Sequence, residues 1–238
     1  MSGRWSAAIA LFVAFSLGAV AQRGGLIDSI GKYRSDILFL TQQHIKLVAI
    51  SGGLAIAVGV PLGLWLSRPA MRRSAESIMQ ALNLGSTIPQ LAVLALAMSI
   101  LGIGVVPAIF GLWVASLLPI VRNTYAGMLG VPAHFVEAAT GMGMRPFQIL
   151  SGVELPNALY VMFAGIRTAL AVNVGTAPLA FLIGGGGLGE LIFTGIDLNE
   201  PGMMLAGAIP TALLAVLVDF GVGVLAYWIV PRGVNPLR

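Results

Sequence analysis

The chain has 238 residues, is 58% hydrophobic and 9% charged, carries a net charge of +4 and contains no cysteine. Soluble domains are roughly 25% charged, so a water-soluble globule is excluded, as are disulfides and thiolate chemistry; two histidines, His44 and His134, offer no basis for a histidine-ligated metal centre. The basic residues stand in short gaps between apolar runs rather than clustering on a polar face, which fits anchoring of membrane loops and not a nucleic-acid partner.

Long apolar runs cover Trp5–Ala21, Leu47–Leu66, Leu84–Leu101, Ile103–Val121, Ala158–Ile183 and Leu205–Val230. Each is near the roughly 20 residues a helix needs to cross a 30 Å hydrocarbon core. They are continuously apolar rather than alternating, which disfavours a transmembrane barrel. The reading is an all-α membrane protein of about six transmembrane helices. The first run has a second reading: it follows Arg4 and ends in Ala19-Val20-Ala21 ahead of Gln22, the small-x-small pattern of a cleaved leader. Residues 1–43 are thus an N-terminal span or leader with an external connector, 44–230 a transmembrane domain, and 231–238 a tail. Prolines within spans (Pro61, Pro89, Pro107, Pro119, Pro178, Pro210) predict kinks, and Gly59-x-x-x-Gly63 predicts close helix packing.

With the N-terminus inside, Arg4, Arg68, Arg72, Arg73, Arg122, Arg145, Arg232 and Arg238 face the cytoplasm, while the external loop from Gly184 to Met204 carries Glu190, Asp197 and Glu200 and no Lys or Arg. Both follow the positive-inside rule. Arg23, Lys32, Arg34 and Lys46, placed outside by the same count, run against it.

The inside loop from Arg122 to Asn157 holds the most hydrophilic long segment of the C-terminal two-thirds, "EAATGMGMRPFQILSGVELP". Its pattern is Glu137-Ala138-Ala139, three residues, Gly143, nine residues, Val153, one residue, Leu155-Pro156. Alone, the Glu-Ala-Ala triplet is merely helix-forming. At this spacing the segment resembles the cytoplasmic signature of ABC importer permeases, departing only in Val153 where the family carries Ile. The resemblance implies a short coupling helix that enters a cleft of a separate ATPase, with Glu137 as its acidic contact or cap, Ala138, Ala139 and Gly143 as close-packing positions, and Leu155-Pro156 opening the next helix. The stretches "PIVRNTY", "NVGTAPLAFLIGGGGLG" and "LAGAIPTALLAVLVD" are similar to the osmoprotectant branch, which imports glycine betaine, carnitine or choline. The resemblance covers about His44 to Asp219.

No Gly-x-x-x-x-Gly-Lys-[Ser/Thr] loop occurs, so this chain lacks the machinery to hydrolyse ATP. The resemblance therefore implies an ATPase subunit that carries ATP and Mg, a solute-binding protein, and a second permease, identical or similar, in a bacterial inner membrane. The chain itself binds no cofactor or metal on this reading. Rival readings are an ABC permease for an amino acid, or a carrier driven by an ion gradient.

Asn173, Thr176 and Asp219 are candidates for the translocation path, since polar groups inside spans face the bundle interior or a wet cavity. For Asn173 and Thr176 the alternative is interhelical hydrogen bonding; for Asp219 it is partnership with a polar group, and Arg167 is expected to pair with a carboxylate or to snorkel. Quaternary amines are held by aromatic cages, but Trp5, Trp65, Tyr125, Tyr227 and Trp228 fall at span ends, where interfacial anchoring is their default use, and Trp113 reads as lipid-facing or packed. No cage is legible. His44 and His134 read as solvated or interfacial.

Overall fold

The computed structural model of the chain describes residues 31–234. The span expected at Trp5–Ala21 and the end of the tail lie outside the described residues. Within them the order is α1 (Arg34–Leu66), a 3-10 turn, α2 (Arg72–Ser86), α3 (Gln90–Leu101), α4 (Val105–Leu129), α5 (Ala133–Gly141), α6 (Pro146–Ile149), a π-helical turn (Leu150–Glu154), α7 (Leu155–Thr176), a 3-10 segment (Ala177–Ile183), α8 (Gly189–Asp197) and α9 (Pro201–Ile229). No strand occurs among the described residues. Four helical runs are long and apolar enough to cross a membrane, or five if the bent pair α2–α3 counts as one span.

Helix α1 begins thirteen residues before the apolar run that announced it, at Arg34 rather than Leu47. Its polar first half still has an apolar face: Ile37 and Leu40 pack with Leu188, which precedes α8, and with Leu191 within it. At about 50 Å for 33 residues, α1 outreaches the hydrocarbon core, and the boundary read at residue 43 falls inside it. In its second half, a Cβ added at Gly59 would come within 2.8 Å of Ile120, and one at Gly63 within 2.5 Å of Thr124. The glycine pair thus seats α1 directly on α4, the ordinary packing use of such a motif.

The run Leu84–Leu101 is not one helix. Gly85, Ser86 and Thr87 end α2, and Pro89 drives Ile88 out of helical conformation, so α3 leaves at 96° to α2. Helix α3 alone, at about 18 Å, does not cross a bilayer. Helix α2 instead lays Ala75, Ile78 and Leu82 against Leu66 and Val121.

The next span is a continuous helical run from Pro146 to Ile183. The sequence reading placed its start at Pro156; the helix starts ten residues earlier because Pro146 occupies the first-turn position that proline fits, with the Arg145 N–H bonded to the Gln148 side chain at 2.8 Å. Pro156, which lacks an N–H, is absorbed by the π-helical turn just before it, where the Leu155 N–H reaches the Leu150 carbonyl. At the far end, Pro178 deprives the Val174 carbonyl of its helical donor, and His44 Nε2 donates to that carbonyl at 3.1 Å. His44 is therefore a buried structural donor, 1% exposed, and not the interfacial residue its polarity suggested. Neighbouring Gln43 accepts the Gly187 N–H at 3.1 Å, so α1 pins both sides of the segment where the span ends and the glycine run begins.

Polar pairs mark the two ends of the bundle. Lys32 bonds Glu200 at 2.8 Å at one end, and Arg68 bonds Glu154 at 2.7 Å at the other, beside the loop between α4 and α7. Helix α9 turns Leu213, Val216, Leu217, Phe220 and Trp228 outward, an apolar face suited to lipid or to another helix.

Candidate functional site: the coupling segment and the polar groups of the spans

Helix α4 runs on to Leu129, so the loop expected from Arg122 narrows to the stretch from Gly130 into the helical run that starts at Pro146. Pro132 precedes α5 and fixes its entry. Glu137 is the fifth residue of this helix, exposed, and with no side-chain cap to α5; the cap role expected for it is corrected, because the helix starts four residues before the Glu-Ala-Ala triplet. Ala138 is exposed, and Ala139 is 1% exposed against the body of the protein. The two alanines lie on different faces of a helix, one toward the bundle and one toward solvent.

Gly143 ends α5 by a Schellman motif. Its N–H bonds the Thr140 carbonyl at 2.9 Å, the Met144 N–H bonds the Ala139 carbonyl at 3.1 Å, and its φ of +78° is a conformation that favours glycine. No atom lies within 4 Å of where its Cβ would be, so the requirement is conformational and not steric. Leu150 and Leu155 pack with Met128, Ala158 and Met162, while Pro156 is half-buried.

Three residues of this segment were not singled out from sequence. Phe135, Met142 and Phe147 are 44%, 75% and 75% exposed. Phe135, Ala138 and Met142 follow i, i+3, i+7 spacing, so α5 presents an apolar stripe outward; that spacing was the available signal. Exposed large apolar groups rimmed by polar residues mark an interaction surface. Glu154 was missed as well. It lies one turn before Ala158 on the packed face of the span, is 17% exposed, and takes its bond from Arg68 of the α1 end.

The polar residues of the spans divide. Asn173 is 1% exposed and joins three helices: its Nδ2 donates to Ser116 of α4 at 2.7 Å and to Ser51 of α1 at 3.0 Å. Within this chain its amide is a buried hydrogen-bond bridge between helices. Thr176 back-bonds to the Val172 carbonyl at 2.9 Å and borders a cavity of about 310 Å³ that also takes in Ser86 and Gln90 at the α2–α3 bend. Asp219 is the bidentate partner of Arg167, joining α9 to α7. Trp113 is packed, its ring 5.5 Å from that of Phe110.

An all-helical bundle with membrane-length apolar helices and a short helix bearing an apolar outer stripe is a membrane protein with an exposed interaction surface. The chain belongs to the family of binding-protein-dependent transport system inner membrane components, whose model matches residues 59–232. Members of this family are transport subunits rather than enzymes.

The chain is 55% identical over 193 residues to the osmoprotectant import permease protein OsmY of Salmonella typhimurium, covering 81% of this chain and 82% of that one. It is 41% identical over 203 residues to the choline transport system permease protein OpuBB of Bacillus subtilis, covering 85% and 93%. It is 39% identical over 203 residues to the glycine betaine/carnitine/choline transport system permease protein OpuCB of the same organism, again covering 85% and 93%. Among solved structures, the inward-facing MetNI methionine ABC transporter matches with a TM-score of 0.69 at 24% identity, over 82% of this chain and 96% of that one. At that identity the likeness is one of fold alone.

Proposed function

We propose that this chain is the permease subunit of an ATP-driven importer of osmoprotectants of the quaternary-amine class, such as glycine betaine, choline or carnitine. The observation that carries the reading is the 55% identity to an osmoprotectant import permease over four-fifths of the chain, beside a Glu137–Pro156 segment that departs from the importer signature only at Val153. On this reading a solute-binding protein delivers solute at the end marked by Lys32 and Glu200. A cytoplasmic ATPase, which holds ATP and Mg, receives α5 at the other end. A second permease, identical or similar, completes the path, and the N-terminus lies in the cytoplasm of a bacterial cell whose inner membrane holds the complex.

The coupling role assigns work to each residue of the segment. Phe135, Ala138 and Met142 enter the ATPase groove, Glu137 supplies its charged contact, and Ala139 keys α5 to the bundle. Gly143 fixes the angle at which the chain turns back, and Leu155 and Pro156 carry displacement into α7. A gradient-driven carrier wants an intramembrane carboxylate with no cation competing for it, and Asp219 is paired with the Arg167 guanidinium, which repels a lone cation.

The test is ATP-driven uptake of labelled glycine betaine and choline into proteoliposomes holding this chain, its second permease copy, the ATPase and the binding protein. Uptake that requires every component and is lost in Gly143→Asp, with membrane insertion intact, is the expected result. Uptake by this chain alone, indifferent to the substitution, overturns the reading.

A further inference from the structure

The sequence scatters its aromatic residues, but the fold gathers three of them around a charge pair. A cavity of about 350 Å³ between α7 and α9 is lined by Tyr160, Phe163, Arg167 and Thr168 on one side and by Asp219 and Tyr227 on the other. That volume is within the range of small-molecule sites. Asp219 lies ten residues before the end of α9, about 15 Å along its axis, which is hydrocarbon depth for a helix ending at the membrane surface. Yet the Arg167 side chain is 50% exposed and that of Asp219 37%. A charge pair left this open inside a span belongs to a wet cavity.

The pair also has binding capacity left over. Asp219 engages Nε and Nη2 of Arg167, leaving Nη1 without a partner among the described residues, and each Asp219 oxygen retains a lone pair. A lone cation is attracted by Asp219 but repelled by Arg167 a few ångströms further on. A molecule bearing both charges meets a complementary dipole instead.

We propose that this cavity is a solute site on the translocation path and that it takes a zwitterion, a quaternary ammonium carrying a carboxylate. The carboxylate accepts hydrogen bonds from the free N–H groups of Arg167. The ammonium lies against Asp219 and among the rings of Tyr160, Phe163 and Tyr227, which attract it through their π faces. The site rests on the quaternary-amine reading above and narrows it: zwitterions such as glycine betaine are preferred here over choline, which has no carboxylate.

The test uses the complete importer in proteoliposomes and reads the ratio of glycine betaine to choline uptake. The paired variant Arg167→Gln/Asp219→Asn removes both charges together and leaves neither one unpaired. It is expected to lower betaine uptake about tenfold relative to choline, one well-placed charged contact being worth that much. Tyr160→Leu is expected to raise the KM for both solutes, while Tyr160→Phe, which keeps the ring, restores it. A betaine-to-choline ratio unchanged in the paired variant, with wild type transporting both, overturns the site and leaves the quaternary-amine reading standing. Wild type that transports no quaternary amine overturns both.

Discussion

Arg68 Nη1 and Glu154 Oε2 stand 2.7 Å apart and tie the end of α1 to the π-helical turn that leads from the coupling segment into α7. The pair is half-buried, with side chains 32% and 17% exposed. Arg68 Nε also donates to the Leu64 carbonyl at 3.3 Å, and Nη2 to Ser67 Oγ at 3.1 Å, so the guanidinium is held by its own helix before it meets the carboxylate. On the coupling reading proposed above, a displacement of α5 passed along the turn reaches α1 as well as α7. Removing one member strands the other: Glu154→Gln is expected to cost about 2 kcal/mol of stability, seen as a lowered Tm in detergent, and to reduce coupled uptake. The swap Arg68→Glu/Glu154→Arg recovers part of both, and a double-mutant cycle with no interaction term contradicts the link.

Gly143 tests the turn. Its φ of +78° makes Gly143→Ala cost about 1–2 kcal/mol, with no steric penalty because the site is open. Asn tolerates this conformation better, so the order of ATP-driven uptake is Gly above Asn above Ala. Equal activity in the wild type and both variants means that the turn geometry does not matter to coupling.

Asn173 tests the division between glue and path. Because its amide bridges Ser51 and Ser116 out of reach of solvent, Asn173→Ala is expected to lower stability by about 1–2 kcal/mol, the upper range for interhelical hydrogen bonds in membranes. The KM for solute should not move. A changed KM at unchanged Tm reverses the assignment.

The Lys32–Glu200 pair predicts a pH profile. The hydrogen bond from Lys32, and then that from Tyr33, hold the Glu200 carboxyl below its ordinary value, so its contribution is complete above about pH 4.3 and fades as pH falls through the lowered value. The same bond to Glu200 raises the Lys32 ammonium, whose contribution is complete below about pH 10.4 and fades as pH rises through the raised value. Both groups are exposed, so the effect is small and screened by salt. Thermal unfolding across pH should show a plateau between these limits with a shallow fall on either side, and Glu200→Gln should flatten both falls.

Much of this was legible because hydrophobic length dictates membrane helices: the runs that became α4, α7 and α9 were located within a few residues of their cores. Three features escaped for physical reasons. The polar half of α1 gave no apolar run, since only Ile37 and Leu40 of its face are needed against α8. A kink was expected at Pro89, but its size was not: the residues on both sides are apolar, a hydropathy window averages across the bend, and the run read as one span. The early start at Pro146 was missed because Pro156, the more conspicuous proline, is accommodated by a π-helical turn rather than by a helix end. At the candidate coupling segment, spacing located Glu137, Ala139 and Gly143; the spacing of Phe135, Ala138 and Met142 was also legible, but that this stripe faces outward needed the helix to be placed against the bundle. Arg167 and Asp219 are more than fifty residues apart, and only the α7–α9 contact pairs them.

Docking of α5 on a cytoplasmic ATPase is directly measurable, because the sequence contains no cysteine. Met142→Cys places a thiol at a position 75% exposed on the outer stripe of α5. Its labelling by a hydrophilic maleimide is compared in the permease alone and in the assembled importer. Rapid labelling alone, protection on assembly, and loss of ATP-driven uptake in permease labelled beforehand are expected. A thiol that labels equally fast in a fully active assembled importer contradicts the docking of α5.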